Sequence, residues 1–245
     1  MFFPIGDTQV TGGYKPIVSY SFIAINVVVF LLQVFSPGNL ICEFAAVPKH
    51  ILQGENVYTL VSSLFLHGSW MHLVGNMLFL WVFADNIEAK VGNVTFLIFY
   101  IAGGIFATAA HIYFSARGVN LEMITCELCH TSTPCNGEII PHESIIPTLG
   151  ASGSISAVMG AYLLMFPSSK VKVLILLFFR SFYVPAVLFL LLWFGQQLIS
   201  GIGSLDMTTS GSEGVAWWAH IGGFVFGLGA GLYFLPIVRA ENDFE

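Results

Sequence analysis

Residues 150–166 read GASGSISAVMGAYLLMF, an uncharged apolar run that opens on a glycine and places Ser152 close to its start. Pro147 and Gly150 discourage helix before the serine. The helix beginning there has about 15 residues, or roughly 22 Å at about 1.5 Å per residue. A bilayer core is about 30 Å thick, so this helix should begin beneath the membrane surface. Non-helical backbone at such depth is tolerated only inside protein or against a wet cavity. A submerged helix N-terminus also presents unpaired N–H groups and the positive end of a dipole, which suit an oxyanion. Ser152 is therefore a candidate nucleophile.

Working outward, five more apolar runs of spanning character appear: Ile17–Phe35, Trp70–Ile87, Val94–Phe114, Phe182–Ser200 and Val215–Leu235. Only 9% of the 245 residues are charged and 56% are hydrophobic, against about 25% charged in an ordinary soluble domain. The reading is an all-α polytopic membrane protein with six transmembrane helices. Residues 1–16 are expected as a short cytoplasmic N-terminus without a signal-peptide pattern. The membrane domain then occupies 17–238, and 239–245 form a cytoplasmic tail. Residues 36–69 make a long outer first loop, whose apolar stretch Tyr58–Leu66 could lie along the interface. Residues 115–149 make an outer third loop that contains cysteines, and 201–214 are rich in Gly and Ser. With the N-terminus inside, the inner side receives Lys15, Lys90, Lys170, Lys172, Arg180 and Arg239, and the outer side only Lys49 and Arg117. That asymmetry sets the orientation. The short tails suggest a prokaryotic inner (plasma) membrane. No basic stripe points to nucleic acid, and no internal repeat suggests a transporter.

Polar side chains within spanning helices are costly unless partnered or wet, which makes them functional candidates. Four stand out: His72 and Asn76 on the second helix, Ser152 on the fourth and His220 on the sixth. His72 and Asn76 are four apart and share a face. Measured from the inner helix ends, Ser152 lies about 21 Å up from Phe166, His220 about 22 Å up from Leu235 and His72 about 20 Å up from Asp85. Asn76 is one turn lower, at about 14 Å. Three helices running the same way thus bring polar groups to one level. Small residues supply close approach: Gly153, Ala157 and Ala161 recur on the fourth helix, and Ala219, Gly223, Gly227 and Gly231 on the sixth. Packed together, these faces would bring the Ser152 hydroxyl near the His220 ring.

A serine hydroxyl attacks only when a positioned base takes its proton, and histidine is the usual base. No Asp or Glu lies near His220 on its helix, so the expectation is a dyad. The Ser152 N–H, the Asn76 amide and His72 are the available oxyanion donors. A soluble-hydrolase reading fails, because residues 150–154 lack the final Gly of G-x-S-x-G and no strand precedes them.

His67-x4-His72-x3-Asn76, Gly150-Ala151-Ser152-Gly153 and Ala219-His220-x2-Gly223-x3-Gly227 together resemble the rhomboid intramembrane serine proteases, from about Val57 to Leu235. Glu88 and Gly92 also match that pattern. The resemblance implies a rhomboid-like bundle with Ser152 as nucleophile, His220 as its partner, and His72 and Asn76 beside the Ser152 backbone at the oxyanion site. Gly150, Gly153, Ala157, Gly223 and Gly227 would pack the helices around the site. It implies an endopeptidase that cuts in or next to transmembrane segments of membrane proteins, with a lipid bilayer and transmembrane substrates as partners. No cofactor, metal, nucleotide or nucleic acid is implied.

The chain also departs from the family pattern. Tyr58-Thr59 stands where many members carry Trp-Arg, Ser156 where many place an aromatic ring against the histidine, and the third connection is long. Cys42, Cys126, Cys129 and Cys135 all fall on the outer side, where disulfides are the first reading. The cluster Cys126-x2-Cys129-His130-x4-Cys135 leaves a metal site or a redox pair as alternatives. His67, at the helix edge, reads as an interface residue before a catalytic one. Competing functions are a catalytically dead rhomboid-like escort, although such relatives generally lack the serine or histidine, and a thiol oxidoreductase using Cys126 and Cys129.

Overall fold

The computed structural model describes residues 2–36, 40–115, 147–175, 180–204 and 215–242. The chain enters through strand β1 (Phe2–Asp7) and passes into helix α1 (Ile17–Phe35) after Pro16. Three short helices follow in the first connection, α2 (Leu40–Phe44), α3 (Pro48–Leu52) and α4 (Thr59–Ser62), and a 3-10 turn spans Ser63–Phe65. Helix α5 (Trp70–Val91) starts at a Ser69 cap whose hydroxyl accepts from the His72 N–H. It stops at Gly92, whose φ of 84° suits a glycine, and α6 (Asn93–Ser115) begins at once. After the undescribed stretch come α7 (Ser152–Met165), strands β2 (Lys170–Ile175) and β3 (Arg180–Pro185), α8 (Ala186–Gly203) and α9 (Trp217–Asn242).

Among the described residues, four helical segments, Ile17–Phe35, Asn93–Phe114, Ala186–Gly203 and Trp217–Val238, are long and apolar enough to cross a bilayer. Helix α5 matches them in length at 22 residues but carries Asp85, Glu88 and Lys90 in its last turns. Helix α7 has only 14 residues, about 21 Å of rise. The chain is thus a mostly helical integral membrane protein.

The all-helical expectation is corrected by a three-stranded antiparallel sheet in the order β1-β2-β3. Its signal was a period of two in Lys170-Val171-Lys172-Val173: both valines are buried and the lysines turn outward. The run Phe182–Ser200 is likewise not one helix. Residues 182–185 pair with 170–173 as strand, and α8 starts only after Pro185. Within residues 1–16, expected as a short cytoplasmic N-terminus, Phe2–Asp7 form strand β1.

Buried polar groups weld this sheet to the C-terminal ends of α5 and α7. The Asn86 amide donates to Asp7 Oδ2 at 2.6 Å and to the Thr8 carbonyl at 3.1 Å, while its Oδ1 accepts from the Val10 N–H. The Tyr162 hydroxyl donates to the same Asp7 carboxylate. Glu88 is fully buried and receives the N–H groups of Val18 and Ser19 at 2.8 and 2.7 Å. A carboxylate there meets the first turn of α1, where the helix dipole favours negative charge. This explains the Glu88 and Gly92 matches: they join the end of α5 to the start of α1 and turn the chain into α6.

Helices α7 and α9 pack backbone to backbone. A methyl group built on Gly227 would lie 2.7 Å from the Ala157 carbonyl carbon, and one on Gly231 would lie 3.0 Å from the Ala161 Cα. The expected small-residue faces therefore do meet, in register.

At the opposite end from the sheet, the first connection is folded and does not simply lie along a surface. Leu64 and Leu66 are buried, and Gly104 of α6 makes room for the Leu64 side chain. Tyr58 donates to the Glu43 carbonyl and Ser62 to the Phe44 carbonyl. Those bonds brace the loop around Tyr58-Thr59. Ala46 and Thr148 exchange backbone hydrogen bonds, so this connection also holds the segment leading into α7.

Candidate active site

Ser152 is the first residue of α7, His72 the third of α5 and His220 the fourth of α9. All three stand in the first turn of their helices, at the end remote from the sheet, with Asn76 one turn deeper. The groups expected at one level thus share one end of the helices. Ser152 Oγ lies 2.9 Å from His220 Nε2, within hydrogen-bond reach.

The approach depends on α7 and α9 being close. A methyl group on Gly223 would meet the Gly153 backbone, 3.1 Å from its carbonyl carbon, and Ser156 Cβ at 3.2 Å. Ser156 cannot stack on the histidine; its hydroxyl donates to the Ser152 carbonyl at 2.6 Å. Two other aromatic residues flank the ring instead. Trp193 of α8 has its centroid 5.9 Å from that of His220, and Trp217 meets it edge-on at 6.2 Å.

Two of the expected packing glycines also meet other parts of the chain. Gly153 presses on α6, where a methyl group would lie 2.6 Å from the Ala107 Cβ. Gly150 lies outside any helix, at a φ of 121°. A methyl group there would sit 2.8 Å from His72 Cε1 and 3.6 Å from Asn76 Nδ2. Its N–H donates to the Ser63 carbonyl at 2.9 Å. Gly150 thus lets the backbone run hard against the His72 and Asn76 side chains just before the serine.

His67, read as a structural interface residue, is only 1% exposed. Its Nε2 lies 3.0 Å from Asn76 Nδ2, which can only donate, so His67 accepts and fixes the amide. Among the described residues, none takes the second N–H of that amide. The His67 backbone is held in turn by Gln33 of α1, through bonds of 3.1 Å in both directions. His72 Nδ1 accepts a long 3.4 Å bond from the Gly68 N–H, which leaves Nε2 to carry the ring proton.

The sequence reading missed Gln197. It sits on α8, 4% exposed, with Oε1 2.8 Å from His220 Nδ1. The rule that singled out His72 and His220, a polar side chain in an apolar run, applies equally to it. Cys42 on α2 is disulfide-bonded. Cys126, Cys129 and Cys135 lie outside the described residues, and so do the metal and redox alternatives raised for them.

Comparison with known proteins points one way. A family model described as "Rhomboid domain" matches residues 54–237, three quarters of the chain. RHOMBOID-like protein 12, mitochondrial, of Arabidopsis thaliana is 28% identical over 81% of this chain and 52% of its own length. Presenilin-associated rhomboid-like protein A, mitochondrial, of Danio rerio is 27% identical over 69% of this chain and 35% of its own. Rhomboid protease GluP of Bacillus subtilis is 27% identical over 64% of this chain and 26% of its own. The chain thus spans about half, a third and a quarter of these relatives. The mitochondrial names do not fit the expectation of a prokaryotic inner membrane.

Proposed function

Because the chain belongs to the rhomboid family, we propose that it is an intramembrane serine endopeptidase that hydrolyses peptide bonds in or next to transmembrane segments. In this reading the bundle of α1, α5, α6, α7, α8 and α9 lies across the bilayer, with α5 shielding its charged end against the sheet and the short α7 starting below the surface. The sheet end, with Lys170, Lys172 and Arg180, faces the positive inner side, so both chain ends do as well. The observation that carries the proposal is the 2.9 Å contact between Ser152 Oγ and His220 Nε2.

The chemistry follows from that contact. His220 takes the hydroxyl proton as Ser152 attacks the substrate carbonyl, then returns it to the departing amine. An acyl-enzyme remains on Ser152, and water activated by the same imidazole hydrolyses it. Negative charge on the carbonyl oxygen meets the Ser152 backbone N–H at the start of α7, where the helix leaves its donors unpaired. The free Asn76 N–H and the His72 ring proton complete the oxyanion site. Removing one such donor costs about 2.7–4 kcal/mol of transition-state stabilisation.

The test is cleavage of a single-pass substrate in liposomes by the wild type and by Ser152→Ala. Cleavage by the wild type alone is the expected result. Equal cleavage by both would remove Ser152 from the chemistry, and none by either would favour a non-catalytic escort.

A further inference from the structure

His220 has a second side-chain partner on α8, Gln197. We infer that Gln197 is a positioning residue that fixes the tautomer and plane of His220; this rests on the serine-peptidase reading above.

The proton positions follow from elimination. Gln197 Nε2 lies 3.2 Å from the Trp193 carbonyl oxygen, which can only accept. The amide is therefore oriented with its nitrogen toward Trp193 and its Oε1 toward the histidine. That oxygen can also only accept, so the 2.8 Å contact with His220 Nδ1 requires a proton on Nδ1. Neutral imidazole carries one proton. Nε2 is left with its lone pair facing the Ser152 hydroxyl at 2.9 Å. This is the only neutral tautomer that can act as the base.

The other tautomer would leave Nε2 protonated and unable to accept from the serine, with Nδ1 facing an acceptor. A buried Gln197 oxygen without a donor would be costly as well. In serine peptidases with a triad, a buried carboxylate does this work. A neutral amide can do it here without placing a charge between apolar helices, where a lone carboxylate is expensive. The anchor is rigid, because Trp193 is one turn before Gln197 on α8 and its ring also lies beside His220.

The experiment compares kcat, KM and the pH dependence of kcat/KM for four full-length proteins in liposomes: wild type, Gln197→Met, Gln197→Glu and Ser152→Ala. Methionine keeps the length and removes the acceptor. It should lower kcat about 10- to 100-fold with KM within about threefold, since no substrate contact is lost. Glutamate restores an acceptor to Nδ1–H and should recover most of kcat. In its ionised form it also favours imidazolium, moving the acid limb of the profile upward. The other titratable groups that act on His220, His72 of α5 and His111 of α6, are unchanged in these variants.

A merely structural role would lower the amount of folded protein but leave kcat per folded enzyme near the wild-type value in both variants. Should Gln197→Met fail to fold, Gln197→Asn, whose shorter amide withdraws the acceptor, takes its place. A Gln197→Met enzyme with wild-type kcat, or a Gln197→Glu enzyme as slow as Gln197→Met, overturns the role of Gln197 while Ser152→Ala is still inactive. An active Ser152→Ala enzyme overturns the peptidase reading itself, and the Gln197 role with it.

Discussion

His220→Ala should lower cleavage of a membrane-embedded substrate on the order of 10³-fold or more, and adding Ser152→Ala to it should cost nothing further. The reason is the shared bond. Without the imidazole the Ser152 hydroxyl keeps its proton; without the hydroxyl the imidazole has nothing to deprotonate. Residues acting as one unit are grossly non-additive, and what remains after their removal comes from the oxyanion donors and binding. These donors stand on α5 and on the α7 backbone, so the variants leave them in place. The measurement is single-turnover cleavage by wild type, both single variants and the double variant. A double variant far slower than either single would mean that the two residues act independently.

The second large effect concerns folding. Gly227→Ala should destabilise the protein by about 3 kcal/mol or more and abolish cleavage, whereas Gly229→Ala should leave both nearly unchanged. The added methyl group at Gly227 falls 2.7 Å from the Ala157 carbonyl carbon and 2.9 Å from its Cα. These are backbone atoms, so no side-chain rotation relieves the clash. The helices must part, and overpacking of this kind typically costs about 1–3 kcal/mol, occasionally more. Gly229 is two residues away on the same helix and has nothing within 4 Å of the equivalent position. Alanine there also gains helix propensity, up to about 1 kcal/mol. Thermal unfolding in detergent, with cleavage measured on the same samples, separates the two. Equal melting of both variants would mean that the α7–α9 contact is looser than described.

The sequence carried the site further than the scaffold around it. The meeting of Ser152 with His220 was legible because helix rise is fixed and because small residues, Gly or Ala, recur every fourth residue on both helices. Each signal is local in the chain, and together they set depth and face. The sheet was missed for the opposite reason. Phe182 and Tyr183 are apolar enough to extend a spanning run, and only pairing with Lys172 and Val173 makes them strand. The alternation in residues 170–173 was a visible hint.

Gln197 and His67 show a second kind of loss. Their roles depend on partners from other helices, 23 residues away for Gln197 and nine for His67. A search for a carboxylate near His220 on its own helix could not find an amide on α8. Gly150 was read as helix packing, but the reason for it is its positive φ and the two side chains crowding it. The first loop differs again: Tyr58 replaces a familiar pair, and its hydroxyl simply finds the Glu43 carbonyl.

The central claim is that Ser152 is a nucleophile because His220 removes its proton. It is tested most directly by treating the protein in liposomes with a fluorophosphonate and mapping the adduct by mass spectrometry. A single adduct on Ser152, absent from His220→Ala and competed by a cleavable transmembrane peptide, is the predicted result. An unlabelled Ser152 in protein that still cleaves its substrate, or labelling of Ser152 that persists at the same rate in His220→Ala, would contradict it.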